Sequence, residues 1–227
     1  MTRSKWDWDL VWEILPRMAG GMWVTIKATL VGIVIAVILG LFLALGRRSK
    51  KKWLSMPVAG LIEFIRSTPI LIQLFFLYYA LPSLTFLPDF ARVIRPLTAL
   101  ILGLGVHYAT YASEAYRAGI NSVPRGQWEA ATAMNLGTFH TWRHVVLPQA
   151  IPRTLPALGN YFVAMFKDAP IGSSISVVGV LFVARSIQSQ TFRSVEPMMV
   201  AGAMFLAVSI PAAMFVRYLE RRMGYET

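Results

Sequence analysis

The sequence predicts an all-α, polytopic membrane protein with about five transmembrane helices. Three observations carry that prediction. Mean hydropathy is +0.55 and only 15% of the 227 residues are charged, against about 25% in a soluble domain. Uncharged stretches of 18 to 22 residues recur at Ala28–Leu45, Ser67–Pro88, Pro96–Ser113 and Pro197–Val216, and about 18–20 helical residues reach across the roughly 30 Å hydrocarbon layer. The lysines and arginines between these stretches are unevenly shared, as the excess on cytoplasmic loops requires. A soluble globular domain is excluded.

Taken in order, the spans are expected near 20–45, 63–82, 95–116, 151–167 and 197–218. Ahead of the first, Trp6, Trp8, Trp12 and Trp23 suit an interfacial amphipathic segment. Acidic residues stand where a signal peptide needs a basic region, so the first span is expected to be retained. After it comes the run Arg47-Arg48-Ser49-Lys50-Lys51-Lys52, the strongest pointer to an outside N-terminus and a cytoplasmic C-terminus. With five crossings the inside segments hold 12 basic residues and the outside ones hold 7, including Arg3, Lys5 and Arg92; six crossings give 11 against 8.

The fourth span is irregular. Thirteen uncharged residues separate Arg153 from Lys167, and 16 more follow Asp168. Pro170, Gly172 and two serines favour a break at Asp168-Ala-Pro-Ile-Gly, leaving residues 169–190 short of a full crossing. Non-helical backbone at that depth must be buried in protein or line a wet cavity.

Residues 117–149 are polar enough to leave the bilayer yet keep helical apolar spacing at Trp128, Ala131 and Met134, then Phe139, Trp142, Val145 and Val146. Pro148 and Pro152 are expected to stop this segment before the next span. Two short amphipathic helices with one aromatic face need a cover, either the protein's own cytoplasmic surface or a docked partner.

The net charge of +11 is read as loop bias, not as a nucleic-acid surface. With no cysteine there is neither disulfide nor thiol chemistry. His140 and His144 are spaced i,i+4, but no carboxylate accompanies them, so no metal is expected. His107, within the third span, reads as a hydrogen-bonded helix contact rather than a proton relay. Gly40, Gly46, Gly103 and Gly105 allow close helix approach. No acid/base pair, nucleophile constellation or cofactor motif is present, so the chain is not expected to be an enzyme.

Glu129-Ala130-Ala131 followed by Val145-Val146-Leu147-Pro148 resembles the EAA loop of bacterial ABC importer permeases. The interval from Glu129 to Pro148 has that family's length; Asn135 stands where the family has glycine, with Gly137 two residues later. Further matches run in order from about residue 20 to 220: Met22–Lys27, Phe64–Pro69 with Gln73–Phe76, Glu114–Ile120, Val123–Trp128 and Phe166–Ala169. Together they resemble the polar-amino-acid branch of these permeases, and the run EAATAMNLGTF most resembles ectoine and hydroxyectoine permeases.

The resemblance implies one transmembrane permease domain over 1–227 with a MetI-like fold in a bacterial inner membrane, and a coupling loop at about 117–149. Glu129, Ala130, Ala131, Asn135, Gly137, Leu147 and Pro148 would form the coupling site. The implied partners are cytoplasmic ATPase subunits, a second permease subunit (a copy or a related chain) and an extracytoplasmic solute-binding protein, besides membrane lipid. No G-x-x-x-x-G-K-[ST] is present in the chain, so ATP would act through the partner.

Ionisable residues within spans are functional candidates. Glu63 with Arg66, and Glu114 with Arg117, are i,i+3 pairs near inner span ends; they could sit at headgroup level or close the cytoplasmic mouth of a pathway. Lys167 and Asp168, with Arg66, Gln73 and Glu114, are the pathway candidates, because a zwitterionic solute needs both signs of charge nearby. A secondary transporter would need a repeat and a coupling-ion site, and a membrane enzyme would need clustered catalytic groups; of these readings only the ABC one expects a stoichiometric ATPase.

Overall fold

A computed structural model describes residues 6–84 and 93–222; Arg3, Lys5 and Arg92 of the charge count lie outside them. Among the described residues all regular structure is helical: α1 Trp8–Arg47, α2 Lys52–Ser67, α3 Ile70–Phe75, α4 Pro96–Asn121, α5 Arg125–Ala133, α6 Thr138–His140, α7 Leu147–Asp168, α8 Val180–Thr191 and α9 Val195–Arg222. A π turn at Phe76–Ala80 and a 3-10 turn at Leu81–Ser83 extend α3; a π turn at Thr141–Val146 joins α6 to α7; a 3-10 turn at Ala169–Ile175 continues α7.

Among the described residues two helices, α1 and α9, are long and apolar enough to cross a membrane alone, and two broken pairs raise that number to four. The 26-residue α4 covers the expected 95–116 and spans about 39 Å. Its apolar character is diluted by His107, Thr110 and Ser113, all buried in protein.

The expected second span, 63–82, is not one continuous helix. Pro69 excludes Thr68 from the helical region, and Thr68 is extended at φ −107, ψ 138. Its hydroxyl donates to the Phe64 and Ile65 carbonyls at 3.0 and 3.2 Å, satisfying acceptors that the break releases.

Two further corrections concern proline. Pro148 and Pro152 do not stop the loop segment, which runs helically from Thr138 to Ile175. The wider π winding ahead of Pro148 moves the carbonyl that its ring would strike in an i→i−4 ladder. Nor does the chain break at Asp168: Pro170 occupies the first turn of the 3-10 segment, where its missing donor costs nothing, and the break falls at Ser176–Gly179 with a 48° bend. The 12-residue α8 that follows is too short to cross, in keeping with the expectation for 169–190.

The chain divides into two compact units. The first comprises residues 1–32, 69–104 and 164–212. Its core joins Val11, Ile14, Met18 and Met22 of α1 to Phe166, to Val180, Val183, Ala184 and Ile187 of α8, and to Val200 and Ala201 of α9. Trp8, Trp12 and Trp23 lie on the exposed face of α1, whose other face is core, and Trp6 is exposed just ahead of it. The Thr25 hydroxyl donates to the Gly21 carbonyl and accepts from the Val180 N–H at 3.2 Å, tying the start of α8 to α1. Arg193 pairs with Asp7 at 3.6 Å and with the buried Glu196.

The second unit comprises 33–68, 105–163 and 213–227. Here α1 crosses α4 at Gly40, where a Cβ would lie 2.7 Å from the Ala112 Cβ and 2.8 Å from the Ala109 carbonyl oxygen. The Tyr116 hydroxyl donates to the Val37 carbonyl at 3.2 Å beside this crossing.

After α5 the chain turns through Asn135, at φ 53. The Leu136 N–H donates to the Ala131 carbonyl at 3.0 Å and the Asn135 N–H to the Thr132 carbonyl at 2.9 Å, the paired bonds of a Schellman closure. Gly137, at φ −61, ψ 155, is extended and starts α6, so the turn belongs to Asn135.

Two variants test this local reading by thermal unfolding of the purified protein in detergent. Gly40→Ala forces backbone apart and is expected to cost about 1–3 kcal/mol; an unchanged melting temperature would contradict the tight crossing. Asn135→Gly is expected to be tolerated and Asn135→Val to cost about 1–2 kcal/mol, because a β-branched residue is strained at positive φ. Equal melting for the two would refute the closure.

Candidate functional site

The segment expected to dock a partner lies wholly in the second unit. Its apolar residues divide between two faces. Trp128 and Trp142 meet edge to face at 5.5 Å and pack on Ile120, Val123, Val146 and Ala150, and Ala131 is buried too. The protein's own helices thus cover the tryptophans. Met134 and Phe139 stay open, at 73% and 68% exposure. Helical spacing alone could not make this division, since all these residues recur three or four apart.

Glu129, Ala130, Asn135 and Gly137 are exposed, as are Leu147 and Pro148 at the far end of the loop; Ala131 is buried beneath them. Arg153 fastens the segment to the end of α4 by donating to the Ser122 carbonyl and, at 2.9 Å, to its hydroxyl. At the other side Arg48 donates to Asn121 Oδ1 at 2.6 Å and lies 5.9 Å from the Trp142 ring centroid. The His140 and His144 rings stack at 5.7 Å, and no group of metal-ligating side chains forms among the described residues.

The charged residues near the span ends pair partly as the sequence suggests. Glu114 accepts from Arg117 at 3.0 Å, the expected i,i+3 bond, and also from Arg47 at the end of α1. The Arg47 partnership is long-range and had no signal in local spacing. Arg66 lies 5.2 Å from the Tyr111 ring centroid, and Tyr111 contacts Tyr161 at 5.7 Å and His107 at 5.3 Å. Tyr111 and Tyr161 are functional candidates that sequence reasoning missed; the available signal was an i,i+4 His–Tyr pair inside a span. His107 is buried against Tyr108 and Tyr111, as a structural histidine would be.

The remaining pathway candidates belong to the first unit. Gln73 is half-buried on α3 beside the buried Leu74, while Lys167 and Asp168 are exposed at the end of α7. The second unit thus holds Arg66, against Tyr111, and Glu114, with Arg47 and Arg117, and the first holds the other three.

The chain was compared with known proteins. The model of the family "binding-protein-dependent transport system inner membrane component" matches residues 12–225. A probable amino-acid ABC transporter permease, y4tG of Sinorhizobium fredii, is 41% identical over 92% of this chain and 87% of its own length. The glutamine transport system permease GlnP of Escherichia coli is 31% identical over 96% and 98%. A crystal structure of an amino acid ABC transporter with histidines superposes with a TM-score of 0.88 at 33% identity, covering 96% of this chain and 100% of that one. An inward-facing structure of the methionine transporter MetNI shares the fold at a TM-score of 0.71 and 18% identity, over 93% and 96%. The fold is thus that of an all-helical, MetI-like transport permease, and the chain belongs to the family of binding-protein-dependent transport system inner membrane components.

Proposed function

We propose that the chain is the permease subunit of an ATP-driven importer for a polar amino acid or an amino-acid-like solute, and that residues 117–149 couple it to a separate ATPase. The whole chain acts as a single permease domain, a reading supported by one family model running over 12–225. Its partners are the ATPase subunits, a second permease subunit and an extracytoplasmic binding protein, in an inner membrane with the N-terminus outside and the C-terminus cytoplasmic.

The observation that carries the coupling role is the build of the loop. Half-buried tryptophans pack it against α4 and α7, while Glu129, Ala130, Met134 and Phe139 remain available on its surface. A rigidly held helix pair can pass an ATPase's movement on as rigid-body motion. Glu129 supplies a carboxylate for charge-assisted hydrogen bonds from a basic groove.

Arg66, Gln73, Glu114, Lys167 and Asp168 are the proposed pathway residues, offering both signs of charge to a zwitterion. For the solute, the run from Glu129 to Phe139 supports ectoine or hydroxyectoine, whereas permeases named for nopaline, at 34% identity, and glutamine, at 31%, support an opine or an amino acid. Calorimetry of these solutes against the cognate binding protein separates the two.

Glu129→Lys is expected to lower solute uptake and stimulated ATP hydrolysis at least tenfold, since it reverses the charge of a bond worth about 1.5–3 kcal/mol. Membrane insertion should be unaffected. Full uptake by this variant would show that the loop does not couple.

A further inference from the structure

The turn between α1 and α2 carries the densest charge in the chain, Arg47-Arg48-Ser49-Lys50-Lys51-Lys52, followed by Trp53. Lys50, Lys51 and Lys52 are exposed, and Trp53 is 72% exposed. Arg48 is turned back against the loop. Held by Asn121 and the Trp142 ring, it lines a cavity of about 280 Å3 together with Ile120, Asn121, Val123, Arg125 and Trp128.

The composition of this cavity is selective. Two guanidinium groups and one side-chain amide line it, and no carboxylate does. The Arg125 guanidinium makes no hydrogen bond or ion pair among the described residues, so no carboxylate offsets its charge. Ile120 and Val123 are buried and form an apolar floor. Guanidinium groups match the oxygens of a phosphate ester in geometry and charge. The volume lies just under the range for whole small-molecule ligands, about 300–1,000 Å3, which suits a headgroup rather than an entire nucleotide.

We infer that this cavity binds the phosphate headgroup of an anionic phospholipid. Lys50, Lys51, Lys52 and Trp53 hold the same leaflet surface, as basic clusters and interfacial aromatics beside a span do. The phosphate sits at the guanidinium groups while the glycerol and its acyl chains stay at the cavity mouth, an attachment that a free phosphate ion lacks. The site is independent of the transported solute; it rests on the reading that the basic turn faces the cytoplasmic leaflet, and its lining from Ile120 to Trp128 lies within the segment proposed to couple to the ATPase.

The test uses the assembled transporter in nanodiscs of phosphatidylcholine, with or without phosphatidylglycerol, and counts retained lipid by native mass spectrometry. Wild type is expected to retain phosphatidylglycerol in preference to phosphatidylcholine. Arg125→Gln should lower that retention about fivefold, the effect of one charge near a headgroup, with melting temperature unchanged. Lys51→Gln, a charge-matched change outside the cavity, should lower it less. Equal retention in Arg125→Gln and wild type, or equal loss in the two variants, overturns the cavity as the site. Displacement of the lipid by inorganic phosphate assigns the cavity to a soluble anion and overturns the lipid. Loss of the ATPase from Arg125→Gln with lipid retention intact makes Arg125 a docking residue, which also overturns the inference.

Discussion

Everything in this chain depends on how it satisfies the backbone wherever a helix breaks. Lipid offers no hydrogen-bonding partner, so every N–H and C=O freed at a break must be met by the protein. Thr68 returns its hydroxyl to the carbonyls released by Pro69. Thr25 lends its oxygen to the N–H of Val180, the first residue of α8. Among the described residues three non-glycines have positive φ, Asn135, Ser176 and Phe192, and each closes a helix by donating its N–H backward to the last turn. The same solution recurs, and it lets short segments such as α5, α6 and α8 stand between long helices.

Close approach is the second requirement. In a membrane there is little hydrophobic drive between helices, so association depends on packing and on small residues that bring backbones together. Gly40 against Ala109 and Ala112 serves this in the second unit. Gly21 serves it in the first, where a Cβ would come within 3.0 Å of the Gly179 backbone. Hydrogen bonds cluster beside these contacts: Tyr116 to Val37 near Gly40, and Thr25 to Gly21 and Val180 near Gly179.

Much of this was legible in the sequence because it is local. Uncharged runs located the long helices, and Asn135, standing where the family has glycine, is the residue that takes the left-handed turn. The misreadings share one cause. A proline announces a missing donor, but whether the helix stops depends on the winding around it, so Pro148 was tolerated behind a π turn and Pro69 was not. Spacing showed that Trp128 and Met134 recur on a helical period, yet only the fold could cover one and expose the other. The Glu114–Arg47 pair joins residues 67 apart, beyond any pattern of short range.

That long-range pair bears on how the loop could carry force. Glu114 draws two arginines from different helices, α1 and α4, while Arg48, the next residue along, reaches Asn121 and Trp142. One dipeptide at the end of α1 is thereby fastened both to α4 and to the loop. Glu114 is the shared counter-charge of these two guanidinium groups, all three side chains being partly exposed. The loop is held from the other side by Arg153 on Ser122. Arg48 and Arg153 thus hold it from two sides, and two half-buried tryptophans pack it between the ends of α4 and α7.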